Sequence, residues 1–164
     1  MRDEEVLGLT YAVTNHYLNG SYNGTVYDIL LTGRGEGKPR VLRYRASLGP
    51  SEDPLDELRK RLSLRIADRL LTAVRAGESR SWCAHDVLAP EGFRVRPKKL
   101  IGYSDPILVP YSDLGEFKFD AGNCFLWRRS KQECISTLQQ NAPNFWPGYF
   151  AVCQLRYDAQ QSPS

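Results

Sequence analysis

Long apolar runs are missing from this chain. None approaches the roughly 18 residues that cross a bilayer, so no membrane-spanning helix is expected within it. The opening Met1-Arg2-Asp3-Glu4-Glu5 is acidic and has no apolar stretch of the signal-peptide kind, which makes the cytoplasm the expected compartment. The 4 cysteines form no CxxC pair and no disulfide-framework spacing, so buried reduced thiols are expected. With 2 histidines and scattered cysteines, no four-ligand metal site can be read from spacing, and no cofactor is expected. There is no nucleophile elbow, no HExxH and no dinucleotide fingerprint. A repeat of fixed period and a low-complexity block are absent as well. The net charge of +3 is too small to imply nucleic acid.

What is present is enough for one globular domain. The 164 residues, 41% hydrophobic and 25% charged, can bury a core without staples. The domain is expected over residues 1–157, with 158–164 as a disordered polar tail.

The chain is organised around Asp53 to Gly77. Asp53 suits a helix cap, Pro54 the first helical position, and Gly77 the left-handed residue that ends many helices. Leu55, Leu58, Leu62, Ile66, Leu70 and Val74 recur at three- and four-residue steps, with Leu64, Ala67 and Leu71 widening the apolar arc. Only a strip holding Arg61, Arg65, Asp68, Arg69 and Arg75 is left for water. Such a helix, over Pro54–Ala76, should lie between two β layers.

Strands precede and follow it. Val6 to Leu18 alternates, Asn19-Gly20 marks a hairpin, and Thr25 to Thr32 returns. The cluster Gly33 to Gly37 leads into another strand, Arg40 to Leu48, and ends without Lys-Ser/Thr, so it reads as a loop and not a phosphate cradle. After the helix, Ser81 to Leu88 reads as one strand, followed by an antiparallel meander. Ile107 to Pro110 should be an edge strand, given its two prolines. Asn144 looks like the cap of a short closing helix running to about Tyr157.

Several pieces resemble bacterial pleckstrin-homology-like domains of unknown function. They are Glu91-Gly92-Phe93, Pro110-Tyr-Ser-Asp-Leu114, Gly122-Asn-Cys-Phe-Leu126 and Pro143-Asn144. Thr14 to Gly20 with Gly24 to Tyr27 also looks like late strands of such a unit. The resemblance implies seven strands followed by one helix. Here a helix interrupts two strand groups, as in a permuted or half-duplicated version, with three strands before it and four or five after. The fold expected is therefore α+β: antiparallel strands in two groups, packed on one long central helix and closed by a short C-terminal helix.

Three functions follow. The leading expectation is a non-catalytic module that docks a protein or peptide partner, since pleckstrin-like folds commonly offer a sheet edge. Its candidate anchors are Trp127, Phe145, Trp146 and Tyr149. The second is an anionic membrane surface, met by the basic cluster Arg94, Arg96, Lys98 and Lys99, with Arg43 and Arg45 on another strand. The third is a cysteine-dependent enzyme, because Cys83 and His85 would share one face of a continuous strand. Arg128, Arg129 and Lys131 beside Trp127 form a second basic turn, which is weak evidence for nucleic acid. The carboxylates Glu116 and Asp120 read as a solvated face.

Overall fold

The computed structural model describes residues 1–48, 54–83, 85–97 and 102–161. The proposed Asp53 cap, Lys98, Lys99 and the continuation from Leu100 lie outside these residues or at their margin. The chain is α+β, with three antiparallel sheets and two helices among the described residues.

The first sheet is a meander of β1 (Val6–Leu18), β2 (Ser21–Gly33) and β3 (Arg40–Leu48). Asn19 and Gly20 both take positive φ, 49° and 80°, the backbone that a tight hairpin turn demands. Leu18 consequently faces Ser21, and the return strand begins earlier than the Thr25 expected. Helix α1 (Pro54–Arg75) follows. A four-stranded sheet then runs β4 (Arg80–Ser81), β5 (Val87–Ala89), β6 (Gly92–Val95) and β7 (Ile107–Val109). A three-stranded sheet of β8 (Leu114–Asp120), β9 (Asn123–Arg128) and β10 (Glu133–Gln139) precedes helix α2 (Phe145–Gln161). The proline-flanked β7 lies at its sheet's edge, as its missing amides require.

Two expectations need correcting here. The strands make three sheets and not two groups, and seven of them follow α1, not four or five. One added strand comes from the segment read as a single strand from Ser81 to Leu88, which divides into β4 and β5. Trp82 leaves the sheet to bury its ring, and its indole N–H donates to the Phe145 carbonyl at 2.9 Å. The backbone compensates with a turn, Trp82 N–H to Asp86 O at 2.8 Å and Asp86 N–H to Cys83 O at 3.0 Å.

α1 contributes to two cores. Leu62 and Ile66 pack with Val6, Leu9, Tyr11, Tyr27 and Ile29 of the first sheet. One to two turns on, Ala67, Leu71 and Val74 join the larger cluster around Trp82, Phe93, Leu126 and Phe145. The buried arc is the one expected except at one edge. Ser63 is fully buried, whereas Leu64 is 47% exposed. At about 100° per residue, Leu64 falls just beyond Leu71, past the edge of the arc. The basic strip does more than meet water. Arg61 pairs with Asp3 at 2.8 Å, and Arg69 donates to the Val6 carbonyl at 2.6 Å, tying the N-terminal segment to the helix.

α2 is also longer than expected. It continues through Asp158, which accepts from Arg75 at 2.6 Å and Gln154 at 2.7 Å, to Gln161, where a loose tail was anticipated. Asn144 is not simply a cap for this helix. Its side-chain oxygen accepts the Leu9 N–H at 2.9 Å, and its own N–H donates to the Leu9 carbonyl at 2.7 Å. With φ at 58°, it closes part of the β1 edge as well, while its carbonyl accepts the Gly148 N–H at 3.1 Å at the start of α2. No helix among the described residues is long and apolar enough to cross a membrane.

Candidate functional site

The cysteine–histidine arrangement dissolves with the strand that was to carry it. Cys83 is buried in the larger core, its thiol 3.9 Å from the Pro143 carbonyl, while His85 is exposed against Tyr103, ring centroids 4.5 Å apart. Burial pushes the Cys83 thiol up to about 12, so it is held as a thiol and not as the thiolate a nucleophile requires. The shared face expected from alternation does not exist, because neither Cys83 nor His85 lies in a strand, and the Cys83 carbonyl accepts the Asp86 N–H at 3.0 Å. Among the described residues no three His, Cys, Asp or Glu side chains converge as a metal site.

Asp86, passed over in the sequence as a neighbour of His85, is buried and accepts from the Ser136 hydroxyl at 2.7 Å. It joins the turn to β10. Burial raises its carboxyl from 3.8 to about 6, against the lowering effects of Ser136 and His85. Native Asp86 therefore binds more protons than the unfolded chain between about pH 4 and 6, and stability falls as pH rises through that window. Asp86→Asn keeps an acceptor for Ser136 without the buried charge. It should raise the unfolding free energy at pH 7.5 by about 1–3 kcal/mol, a gain that vanishes near pH 3. Urea titrations at both pH values check this, and an equal effect at the two would refute the charge argument.

The basic hairpin is only partly in view. Arg94 and Arg96 are exposed, flanking the fully buried Val95, and Phe93 is buried on the same side as Val95. Arg94 is engaged by Glu91 at 3.1 Å, which neutralises half of the described pair. Lys98 and Lys99 lie outside the described residues.

The aromatic stretch is largely core. Phe145 is fully buried between Trp82 and Tyr149, so it offers nothing to a partner, contrary to expectation. Trp146 is half-buried, stacked by Phe119 at 6.2 Å and covered by the Arg59 guanidinium 4.0 Å above its ring. It touches both cores and seals their junction. Tyr149 is half-buried against Phe117, and burial pushes its hydroxyl up to about 12. These residues close the fold.

The open surfaces lie elsewhere. β3 pairs with β2 on one side only, Tyr44 opposite Ile29 and Leu42 opposite Leu31. Leu42 and Tyr44 therefore belong to the core-facing side of the sheet, yet they are 51% and 48% exposed. α1 covers β1 and β2 but does not reach them. On the other face Arg43 pairs with Asp28 at 2.9 Å, beside the exposed Arg45. The opposite edge of the sheet is partly occupied, at Val6 by Arg69 and at Leu9 by Asn144. Nothing among the described residues covers β3 in that way. Sequence alternation could not reveal this, since Leu42, Tyr44 and Leu48 give the same pattern whether a helix covers them or not.

The second basic turn gains unexpected neighbours. Trp127 on β9 points away from the buried Cys124 and Leu126. It lines a cleft of about 560 Å³ together with Lys118, Arg128, Arg129, Gln132 and Arg156. Asp113 anchors Arg128 at 2.7 Å and receives Ser130 as well, and these partners hold its carboxyl down at about 2. Arg156 donates to the Gly115 carbonyl, and the Lys118 ammonium lies 5.1 Å from the centre of the Trp127 ring. Arg156 comes from α2, far from the basic turn in sequence, so no spacing signal could have added it, whereas Lys118 is brought across the β8–β9 hairpin.

Comparison with protein-family models, with curated proteins and with solved structures finds no match.

Proposed function

We propose that this chain is a non-catalytic interaction module that docks an extended protein or peptide segment along β3. The observation that carries the reading is the uncovered nine-residue edge strand whose Leu42 and Tyr44 belong to the core side of the sheet but lie half in water. A partner strand added there would satisfy the free backbone groups of β3 and extend the sheet. Its side chains would alternate: apolar residues beside Leu42 and Tyr44, acidic ones beside Arg43 and Arg45. The sequestration of Cys83 from His85 supports a role without catalysis.

The resemblance to pleckstrin-homology-like domains is part of the same proposal, now assigned to residues 80–161. Their order, four strands, three strands and then a helix, is the order such a unit implies. The first sheet and α1 are then an addition packed on it, and β3 belongs to the addition. No permutation is needed.

A displayed library of peptides alternating apolar and acidic positions tests the docking strand. Enriched peptides should slow hydrogen exchange at the amides of 40–48. Leu42→Lys with Tyr44→Lys should weaken their binding by at least about ten-fold, since inward-facing lysines disfavour edge pairing. Both side chains are half exposed, so stability should change by no more than about 1 kcal/mol. Undiminished binding to the double variant, or protection confined to another element, would remove β3 from the proposal.

A further inference from the structure

The cleft beside Trp127 carries a separate inference, on a different sheet from β3 and independent of strand addition. We propose that it binds a phosphate group, presented either by a small soluble phosphate or by a phosphomonoester headgroup. Three observations converge on that chemistry.

The first is charge. Lys118, Arg128, Arg129 and Arg156 line the cleft against a single lining carboxylate, Glu116. Arg128 is offset by Asp113, but Lys118 and Arg129 have no carboxylate partner among the described residues. A chain of net charge +3 concentrates a surplus of cations in one concavity. Four cations with one directly bound counter-carboxylate favour a compact anion over an apolar ligand.

The second is order. A charge surplus on an ordinary strand face is borne by side chains that wave in water, whereas three of these are held. Arg128 is fixed by Asp113, which Ser130 braces in turn. Arg156 is fixed by the Gly115 carbonyl, and Lys118 rests over the indole. The register of β8 on β9 shifts between Leu114 and Phe117, and Gly115 permits a close approach there: a Cβ on it would lie 3.0 Å from the Trp127 carbonyl. Cations whose rotamers are already set lose less entropy when an anion arrives.

The third is an unsatisfied donor. The Trp127 indole N–H is covered from solvent and has no acceptor among the described residues. The buried indole of the larger core, Trp82, by contrast donates to the Phe145 carbonyl at 2.9 Å. A covered donor left unpaired is costly, and an acceptor brought by a ligand would relieve it. A phosphate seated against Lys118 and Arg129 would lie beside the Trp127 ring, which lines the same cleft. The cleft volume of about 560 Å³ suits a small ligand and not an extended strand of nucleic acid.

Pyrophosphate is the soluble probe, followed through the indole N–H resonances of the ¹⁵N-labelled protein, with Trp127→Phe assigning the Trp127 signal. Pyrophosphate should shift that signal saturably and leave Trp82 unmoved, while sodium chloride at matched ionic strength should not. Lys118→Gln with Arg129→Gln, both exposed, should weaken the response by at least about ten-fold, with the Trp82 signal reporting an intact fold. Sedimentation with phosphatidylcholine vesicles, with and without phosphatidic acid, then separates the sources. Pyrophosphate binding alone identifies a soluble phosphate. Binding to both, with mutual competition, identifies a headgroup. Vesicle binding without a shift at Trp127, a shift reproduced by sodium chloride, or no saturable response at millimolar pyrophosphate would each overturn the proposal.

Discussion

Leu62→Asp is expected to unfold the protein. Leu62 is 1% exposed and packs among Val6, Leu9, Tyr11, Tyr27, Ile29 and Ile66. Truncating such a side chain costs about 2–5 kcal/mol, and a carboxylate in its place adds the penalty of a charge without a prepared partner. The sum is comparable to the whole stability of an ordinary domain, about 5–15 kcal/mol. Leu70 and Trp146 touch both cores, so damage to the smaller one should be felt by the larger. Thermal or urea unfolding of Arg65→Asp is the matched control. That position is exposed, and its contact with Glu4 is long, at 3.9 Å between two solvated side chains, so the change should stay within about 1 kcal/mol. Equal stability of the two variants would mean that α1 presents a different face to the first sheet.

Where local chemistry alone determines the backbone, the sequence was readable. Asn19-Gly20 predicts the hairpin because few residue pairs tolerate two positive φ angles, and both are found. The leucine and isoleucine spacing predicts a helix over Pro54–Ala76, and α1 ends one residue earlier, at Arg75. The loop reading of Gly33 to Gly37 agrees with its place between β2 and β3. The failures have different causes. Trp82 and Asn144 follow partners that are remote in sequence, Phe145 for the first and Leu9 for the second, while Leu64 lies one step past the edge of the packed arc. A run such as Ser81 to Leu88 has strand composition, yet one buried indole hydrogen bond outweighs it and makes a turn.

The candidate sites divide in the same way. Arg43 and Arg45 were placed on one strand face by simple alternation, and the register with β2 puts them there. The Cys83–His85 pair used the same rule on a segment that is not a strand, so the rule failed there. The aromatic run 145–149 was conspicuous in composition, but composition cannot distinguish a buried closing element from an exposed anchor. Exposure at β3 and convergence at Trp127 are properties of where α1 stops and where α2 passes. Neither leaves a mark on the residues themselves.

Gly148→Ala should be strongly destabilising, although it adds one methyl group. Gly148 lies in the first turn of α2, where alanine alone would favour the helix by about 1 kcal/mol. The surroundings reverse that sign. A Cβ on Gly148 would stand 2.0 Å from Cδ1 and 2.2 Å from Nε1 of Trp82, deep inside any contact distance. The indole cannot turn aside cheaply. Its N–H is held by the Phe145 carbonyl at 2.9 Å, and its ring packs between Phe93 and Phe145, with centroids 5.8 and 5.9 Å away. Relief requires moving α2 off the 82–86 turn, and overpacking of this kind typically costs about 1–3 kcal/mol, more where a buried hydrogen bond is lost with it. Gly148→Ala should therefore lower the unfolding free energy by about 3 kcal/mol or more. Trp82→Leu should cost about 3–5 kcal/mol alone, through the cavity and the lost indole hydrogen bond. The two together should cost clearly less than their sum, because the methyl then occupies space the ring has left. A urea double-mutant cycle reads this coupling directly. Stabilisation by Gly148→Ala alone, or strict additivity of the pair, would show that α2 does not close on Trp82.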